Sequence, residues 1–141
     1  MTTSKAFILK ERAGALANYP HARRAGDLIF VSGVSSRRAD NTHDGVTIDA
    51  DGAVTKDIRA QTRAVIENIG VILEAAGASL RDAVDVTVFL VDMEDYRGMN
   101  EVYDTFFDAE TGPTRTTVAV HQLPHPNLLV EMKLVAHCPL G

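Results

Sequence analysis

The sequence predicts an α+β fold, a mixed β-sheet with two α-helices packed on one of its faces. Three observations predict it. Two stretches repeat apolar residues at helical spacing, separate runs are rich in β-branched residues, and Gly, Pro, Asp and Asn punctuate the joins without opening an interdomain linker. The 141 residues therefore read as one domain, 1–141, long enough to bury a core.

His21 to Arg24 and Leu28 to Val34 read as a hairpin around the turn signal Ala25-Gly26-Asp27. Residues 35–52, rich in Arg, Asp, Asn, Gly and Thr, read as a long loop or irregular strand. Ile58, Thr62, Val65, Ile66, Ile69, Leu73 and Ala76 then recur at helical spacing. Thr55 is the expected N-cap of that helix, Asp57 an acidic first-turn residue and Gly77 the stop. Val84–Leu90 is a strand by its β-branched content. A second helix is expected from Met93 to Phe107, with Tyr96, Met99, Tyr103, Phe106 and Phe107 facing inward. Gly112-Pro113 breaks the chain before two last strands, Arg115–Leu123 and Leu128–His137, joined by Pro124-His125-Pro126-Asn127.

Two of these strands are apolar on both alternating faces. Val84, Val86 and Val88 oppose Phe89 and Val91, and Leu128 and Val130 oppose Leu129 and Val135. Two helices cover one face of a sheet, so the other needs cover from elsewhere. The simplest cover is another subunit, which predicts an oligomer whose sheets face a shared centre.

Composition narrows the function classes. A hydrophobic content of 45% without low-complexity tracts argues against disorder. The net charge of −5 argues against nucleic acid as the main partner, and Arg23-Arg24 and Arg37-Arg38 are too short for a basic stripe. The one cysteine, Cys138, supports neither a disulfide framework nor a thiolate metal site. Neither a signal peptide nor a bilayer-spanning run is recognisable, so a soluble cytoplasmic protein without membrane partners is expected. The spacings of His21, His43, His121, His125 and His137 match no metal motif, and phosphate-cradling glycine loops and nucleophile elbows are missing. Neither a metal nor a cofactor is expected.

The chemistry concentrates in Arg115 and Glu131. Arg115 opens an apolar strand with a planar fork suited to carboxylates. Glu131 lies inside an apolar strand, where a carboxylate is costly unless paired, hydrated or used. Each also has a plain reading, Arg115 as a loop anchor and Glu131 as a solvent-facing or Lys133-paired carboxylate. Asn100 falls on the apolar side of its helix, between Tyr96 and Tyr103, either as a helix-edge amide or as a cleft residue.

A family pattern runs through these positions. Tyr19 with residues 25–33, Gln61-Thr62 through Asn68-Ile69, residues 74–78, Thr87–Leu90 with Asp92, Asn100–Tyr103, Pro113-x-Arg115, and Leu123-Pro124 leading to Val130-Glu131-Met132 together resemble the RidA (YjgF) family over almost the whole chain. The resemblance implies a chorismate-mutase-like fold, a homotrimer around a barrel-like core, and ligand clefts between subunits. It also implies hydrolysis of enamines or imines to ketones and ammonia without a cofactor.

One branch, the 2-aminomuconate deaminases, is similar in more detail through residues 18–27, 37–42 and 112–126. That similarity implies a dicarboxylate substrate, 2-aminomuconate, hydrolysed to 4-oxalocrotonate and ammonia in the bacterial breakdown of aromatic compounds. On this reading Arg115 binds the carboxylate beside the amino-bearing carbon, and Glu131 orients and deprotonates water. Tyr19, Ser32, Gly33, Asn100 and Tyr103 line the cleft. Arg23 or Arg24, with His21 or His125, receives the distal carboxylate. The loop before Glu131 is one residue longer than the family pattern, which leaves open the face that Glu131 occupies. A broad-specificity deaminase of 2-aminoacrylate-like intermediates and a non-catalytic ligand-sensing, chaperone-like or RNA-acting trimer remain the alternatives.

Overall fold

A computed structural model of the chain describes residues 4–140. In chain order it contains β1 (Ser4–Phe7), β2 (Ala22–Ala25), β3 (Leu28–Val34), β4 (Val46–Ile48), β5 (Val54–Lys56), α1 (Ile58–Ala75), β6 (Ala83–Leu90), α2 (Tyr96–Phe106), β7 (Thr114–Ala119) and β8 (Val130–His137). Six strands form one sheet in the order β1-β2-β3-β8-β6-β7, with β4 and β5 as a separate hairpin. All pairs in the main sheet are antiparallel except β6 with β7. The connection between those two parallel strands needs a crossover, and α2 supplies it. The fold is thus mixed α+β with both helices over one face, as expected.

Local chemistry sets the element ends. The β2–β3 turn is closed by Gly26 at φ 61°, a left-handed backbone that suits glycine. α1 starts at Asp57, whose carboxylate accepts from the backbone N–H groups of Arg59 and Ala60. Asp57, not Thr55, is therefore the N-cap: Thr55 is held in β5 by its pairing with Thr47. Gly77, at φ 86°, ends the helix as expected.

The apolar face of α1, including Val65, Ile66, Ile69 and Leu73, packs on Ile29, Val31, Val88, Met132 and Leu134 of the sheet, with Met99 of α2 beside them. Each such side chain contributes about 1.5–3 kcal/mol when fully buried. Gln61 is wholly buried in α1, yet its amide donates to Asn127 O and accepts from Leu129 N–H. It thereby pins the start of the segment leading into β8.

Several boundaries differ from expectation. Within 35–52 the chain forms β4, paired with β5, and a bridge between Arg37 and His43. A 3-10 turn, Met93–Asp95, precedes α2, because Asp92 caps Glu94 N–H and tightens the first turn. Tyr96 is half-exposed rather than inward. β7 ends at Ala119, and β8 begins at Val130, so residues 120–129 form a longer connection. A register shift between Ala83 and Asp85 turns Val84 away from Val86 and Val88.

The face opposite the helices is open. Leu28, Phe30, Val84 and Val118 are 36–43% exposed on it or at its rim, with Phe89 and Val135 half-buried between them. Among the described residues no helix is long and apolar enough to cross a membrane.

Candidate active site

β7 determines where Arg115 points. Its register partner on β6 is Val86, a core residue, so Arg115 shares the face covered by α2. Its guanidinium lies 4.7 Å from the Tyr103 ring centroid and 5.7 Å from that of Tyr96. It donates to Tyr96 OH at 3.3 Å and contacts Met99 Sδ at 4.0 Å. The ion pairs among the described residues are Arg38–Asp44, Arg59–Glu101 and Arg97–Glu101, so Arg115 has aromatic and thioether neighbours but no carboxylate partner.

Around it is a cleft formed with Asn100, Tyr103, Phe107 and Pro113, rimmed by Asp104 and Asp108. The Asp108 carboxylate is taken up by Glu110 N–H, Thr111 N–H and the Thr111 hydroxyl. Asn100 Oδ1 and Tyr103 OH are buried and have no hydrogen-bond partner. Burial raises the Tyr103 pKa, against the opposing pull of Arg115, so its phenol stays a donor at neutral pH. Thr117, two residues along β7 on the same face as Arg115, adds a third buried polar atom without a partner. Buried polar atoms are nearly always satisfied. Orphans of this kind also occur at Ser36, His43 and Thr62 among the described residues, so it is the Arg115 guanidinium, without a carboxylate partner in its cleft, that marks the site. Thr117 was not singled out in the sequence; its alternation with Arg115 along a strand was the available signal.

Glu131 faces the other way. It pairs with Phe89 on the sheet face away from the helices. Its Oε1 lies 2.5 Å from where a Cβ on Gly33 would sit, so the missing side chain of Gly33 is what admits the carboxylate. Burial raises its pKa above the ordinary carboxylate value. The irregular end of β3 thus brings Gly33 and Glu131 together, with Ser32 anchored to Pro20 O at 2.8 Å. Tyr19, Ser32 and Gly33 line a second cleft, bounded by Arg12, Arg37 and Asn68.

The expected site residues therefore fall into two groups. Arg115, Asn100 and Tyr103 form one, and Tyr19, Ser32 and Gly33 the other, which Glu131 adjoins through Gly33, with Arg115 and Glu131 on opposite faces of one sheet. Other residues have structural duties. Arg24 is buried and lines neither cleft; its guanidinium donates to Gly26 O and Cys138 O. His21 lines the second cleft, but its ring is fully engaged: Nδ1 accepts from Leu9 N–H, and Nε2 lies 2.9 Å from Ala13 O. That pairing requires the neutral ring with the proton on Nε2, and it holds the segment before Tyr19 rather than a carboxylate. His125 lines neither cleft; its ring lies 4.4 Å from that of His43, and its Nδ1 accepts from Asn127 N–H. Arg23 is exposed on β2 and donates to the Ser4 hydroxyl.

This fold, a mixed sheet with two helices over one face, is of the RidA type. The family model described as endoribonuclease L-PSP matches residues 9–138, and the chain belongs to that family, which includes the RidA (YjgF) proteins. Among its relatives, a RutC family protein of Pyrococcus abyssi is 42% identical over 137 residues, covering 95% of this chain and 98% of its own. Reactive Intermediate Deaminase A of Arabidopsis thaliana, a chloroplast protein, is 32% identical, covering 96% of this chain and 67% of its own. Solved structures agree. Yeast Mmf1 superposes with a TM-score of 0.81 at 30% identity, covering 96% and 98% of the two chains. Escherichia coli TdcF with bound serine gives 0.76 at 32% identity, covering 94% and 98%.

Proposed function

We propose that this chain is an enamine/imine deaminase that hydrolyses 2-aminomuconate to 4-oxalocrotonate and ammonia, working as a homotrimer with clefts between subunits. One observation carries the reading: Arg115 is a half-buried cation that opens into a cleft with Asn100 and Tyr103 and has no carboxylate partner among the described residues. The name of the Arabidopsis relative points to the same reaction class.

The two groups of residues lie on opposite faces of one subunit, so a site using both takes them from neighbouring subunits. The open apolar face with Phe30, Val118 and Val84 is the surface that a second copy covers. Arg115 then holds the carboxylate beside the amino-bearing carbon and fixes its geometry. The enamine tautomerises to the imine, and water adds at that carbon. Ammonia leaves from the resulting carbinolamine to give the 2-oxo acid. Glu131 accepts the proton from the attacking water and passes it to the nitrogen that departs as ammonia; burial raises its pKa, so its carboxylate is a stronger base than an exposed one. The Tyr103 ring, 4.7 Å from the Arg115 guanidinium, helps hold that fork in place.

The bound serine in TdcF, a small monocarboxylate, favours a second reading, a broad deaminase of 2-aminoacrylate-like imines. Ammonia release from 2-aminomuconate and from 2-aminoacrylate compares the two directly. Preference for the dicarboxylate is expected, and equal or faster turnover of the small substrate selects the second reading. In either case Arg115→Ala should lower kcat/KM about 100-fold or more, from loss of a charge-assisted bidentate contact and of orientation. Undiminished turnover in that variant removes the deaminase assignment.

A further inference from the structure

A dicarboxylate needs a second cation, and the two arginines first expected to supply it are poorly suited. Arg24 is buried against the backbone carbonyls of Gly26 and Cys138, outside both clefts, and Arg23 stands exposed on β2. The cleft around Tyr19, Ser32 and Gly33 contains two other guanidiniums. Arg12, from the segment after β1, donates to Asn68 Oδ1 at 2.5 Å, and Asn68 is itself fixed by donating to Ser35 O at 3.0 Å. Arg37, from the segment after β3, donates to Asn41 Oδ1 at 2.7 Å and to Gly14 O.

All of these partners are neutral. Neither arginine belongs to an ion pair among the described residues, although acidic side chains outnumber basic ones by 19 to 14. Both are half-buried and line one cleft, so an anion entering it meets two positive charges. Their tethers orient the forks without neutralising them, and each guanidinium, with five N–H donors, keeps some unused. This is the arrangement of a preorganised anion receiver.

We infer that Arg12 and Arg37 receive the distal carboxylate of an elongated dicarboxylate whose reacting end lies between Glu131 and a neighbouring subunit's Arg115. The inference rests on the deaminase reading above and replaces Arg23 and Arg24 in it. Substrate length is then selected by the span from Arg115 to this pair, and a monocarboxylate forgoes one of the two charge-assisted contacts.

Equilibrium binding to the full chain tests it with two unreactive probes: muconate, and sorbate, which has the same diene chain with a single carboxylate. The unmodified protein should bind muconate more tightly. Arg12→Gln and Arg37→Gln should each weaken muconate binding about 10- to 100-fold while changing sorbate binding far less. Arg12→Lys and Arg37→Lys, which keep the charge but lose the fork, should fall between. Circular dichroism and oligomeric state, recorded for each variant, exclude loss of fold as the cause. Muconate preference that survives both Gln substitutions, or equal losses for the two probes, overturns the Arg12–Arg37 assignment alone. Lys variants as weak as the Gln variants also overturn it, because the tethers rather than the charges would then matter. If the unmodified protein does not prefer muconate, the dicarboxylate substrate itself is rejected.

Discussion

Glu131 shows how a single position couples stability to chemistry. Its folded pKa is raised by burial, so the unfolded chain releases this proton more readily than the folded one. The protonated side chain therefore favours the folded state, and that advantage is lost as pH rises through the raised folded value. Glu131→Gln removes the penalty of a buried charge. The variant should melt above the parent at pH 8, and the gap should close as pH falls through the raised pKa. Turnover should drop about 100- to 10,000-fold, as for loss of a general base. Thermal melts across pH, set beside single-turnover rates, check both halves. A variant that is no more stable at high pH would mean the carboxylate is well solvated, and a variant that still turns over would dismiss it as the base.

At the scale of elements, the segment between β3 and β4 is better ordered than its polar composition suggests. Arg37 and Arg38 anchor it, and His43 is buried with its Nε2 unpaired against His125 of the β7–β8 connection. Burial, then the charges of His125, Arg37 and Arg38, hold the His43 pKa below the ordinary imidazole value. Asp44, the nearest acidic group along the chain, is already paired with Arg38. A depressed imidazole pKa contributes stability that is complete above the ordinary value and is lost as pH falls through the folded one. Between pH 7 and pH 5 the protein should lose stability, and His43→Phe, which keeps a ring but cannot titrate, should lose less. Thermal midpoints at several pH values measure this; parallel losses in the two proteins would show that His43 is not what titrates. Two segments that reach toward the clefts meet in this pair, so its integrity affects Arg37 and the approach to Glu131 together.

At the scale of the whole molecule, the separation of Arg115 from Glu131 makes a complementation test possible. Arg115→Ala and Glu131→Gln chains should each be inactive alone. If every site draws one residue from each of two subunits, trimers mixed at random from equal amounts regain both residues in about a quarter of their sites. Coexpression or refolding of the mixture should restore activity near that level. No recovery in mixed trimers would place both residues in one subunit's site and contradict the sheet geometry.

Periodicity alone revealed much of this protein. A turn signal identified β3, β-branched content identified β6, helical spacing identified α1 and α2, and Gly26 and Gly77 marked turns that require a left-handed backbone. Arg115 and Glu131 stood out because a fixed charge in an apolar strand is costly, and that cost is visible without coordinates. Apolar residues on both sides of β6 and β8 also announced an uncovered face. What sequence could not supply was orientation. Whether Arg115 and Glu131 share a face depends on pairing register and on the irregular end of β3, which long-range contacts establish. Arg24 and His21 resembled ligand residues because a free cation and a bonded one are identical letters. Only the fold brings Cys138 O, Ala13 O and Leu9 N–H to them, and it leaves Arg12 and Arg37 with neutral partners in the cleft.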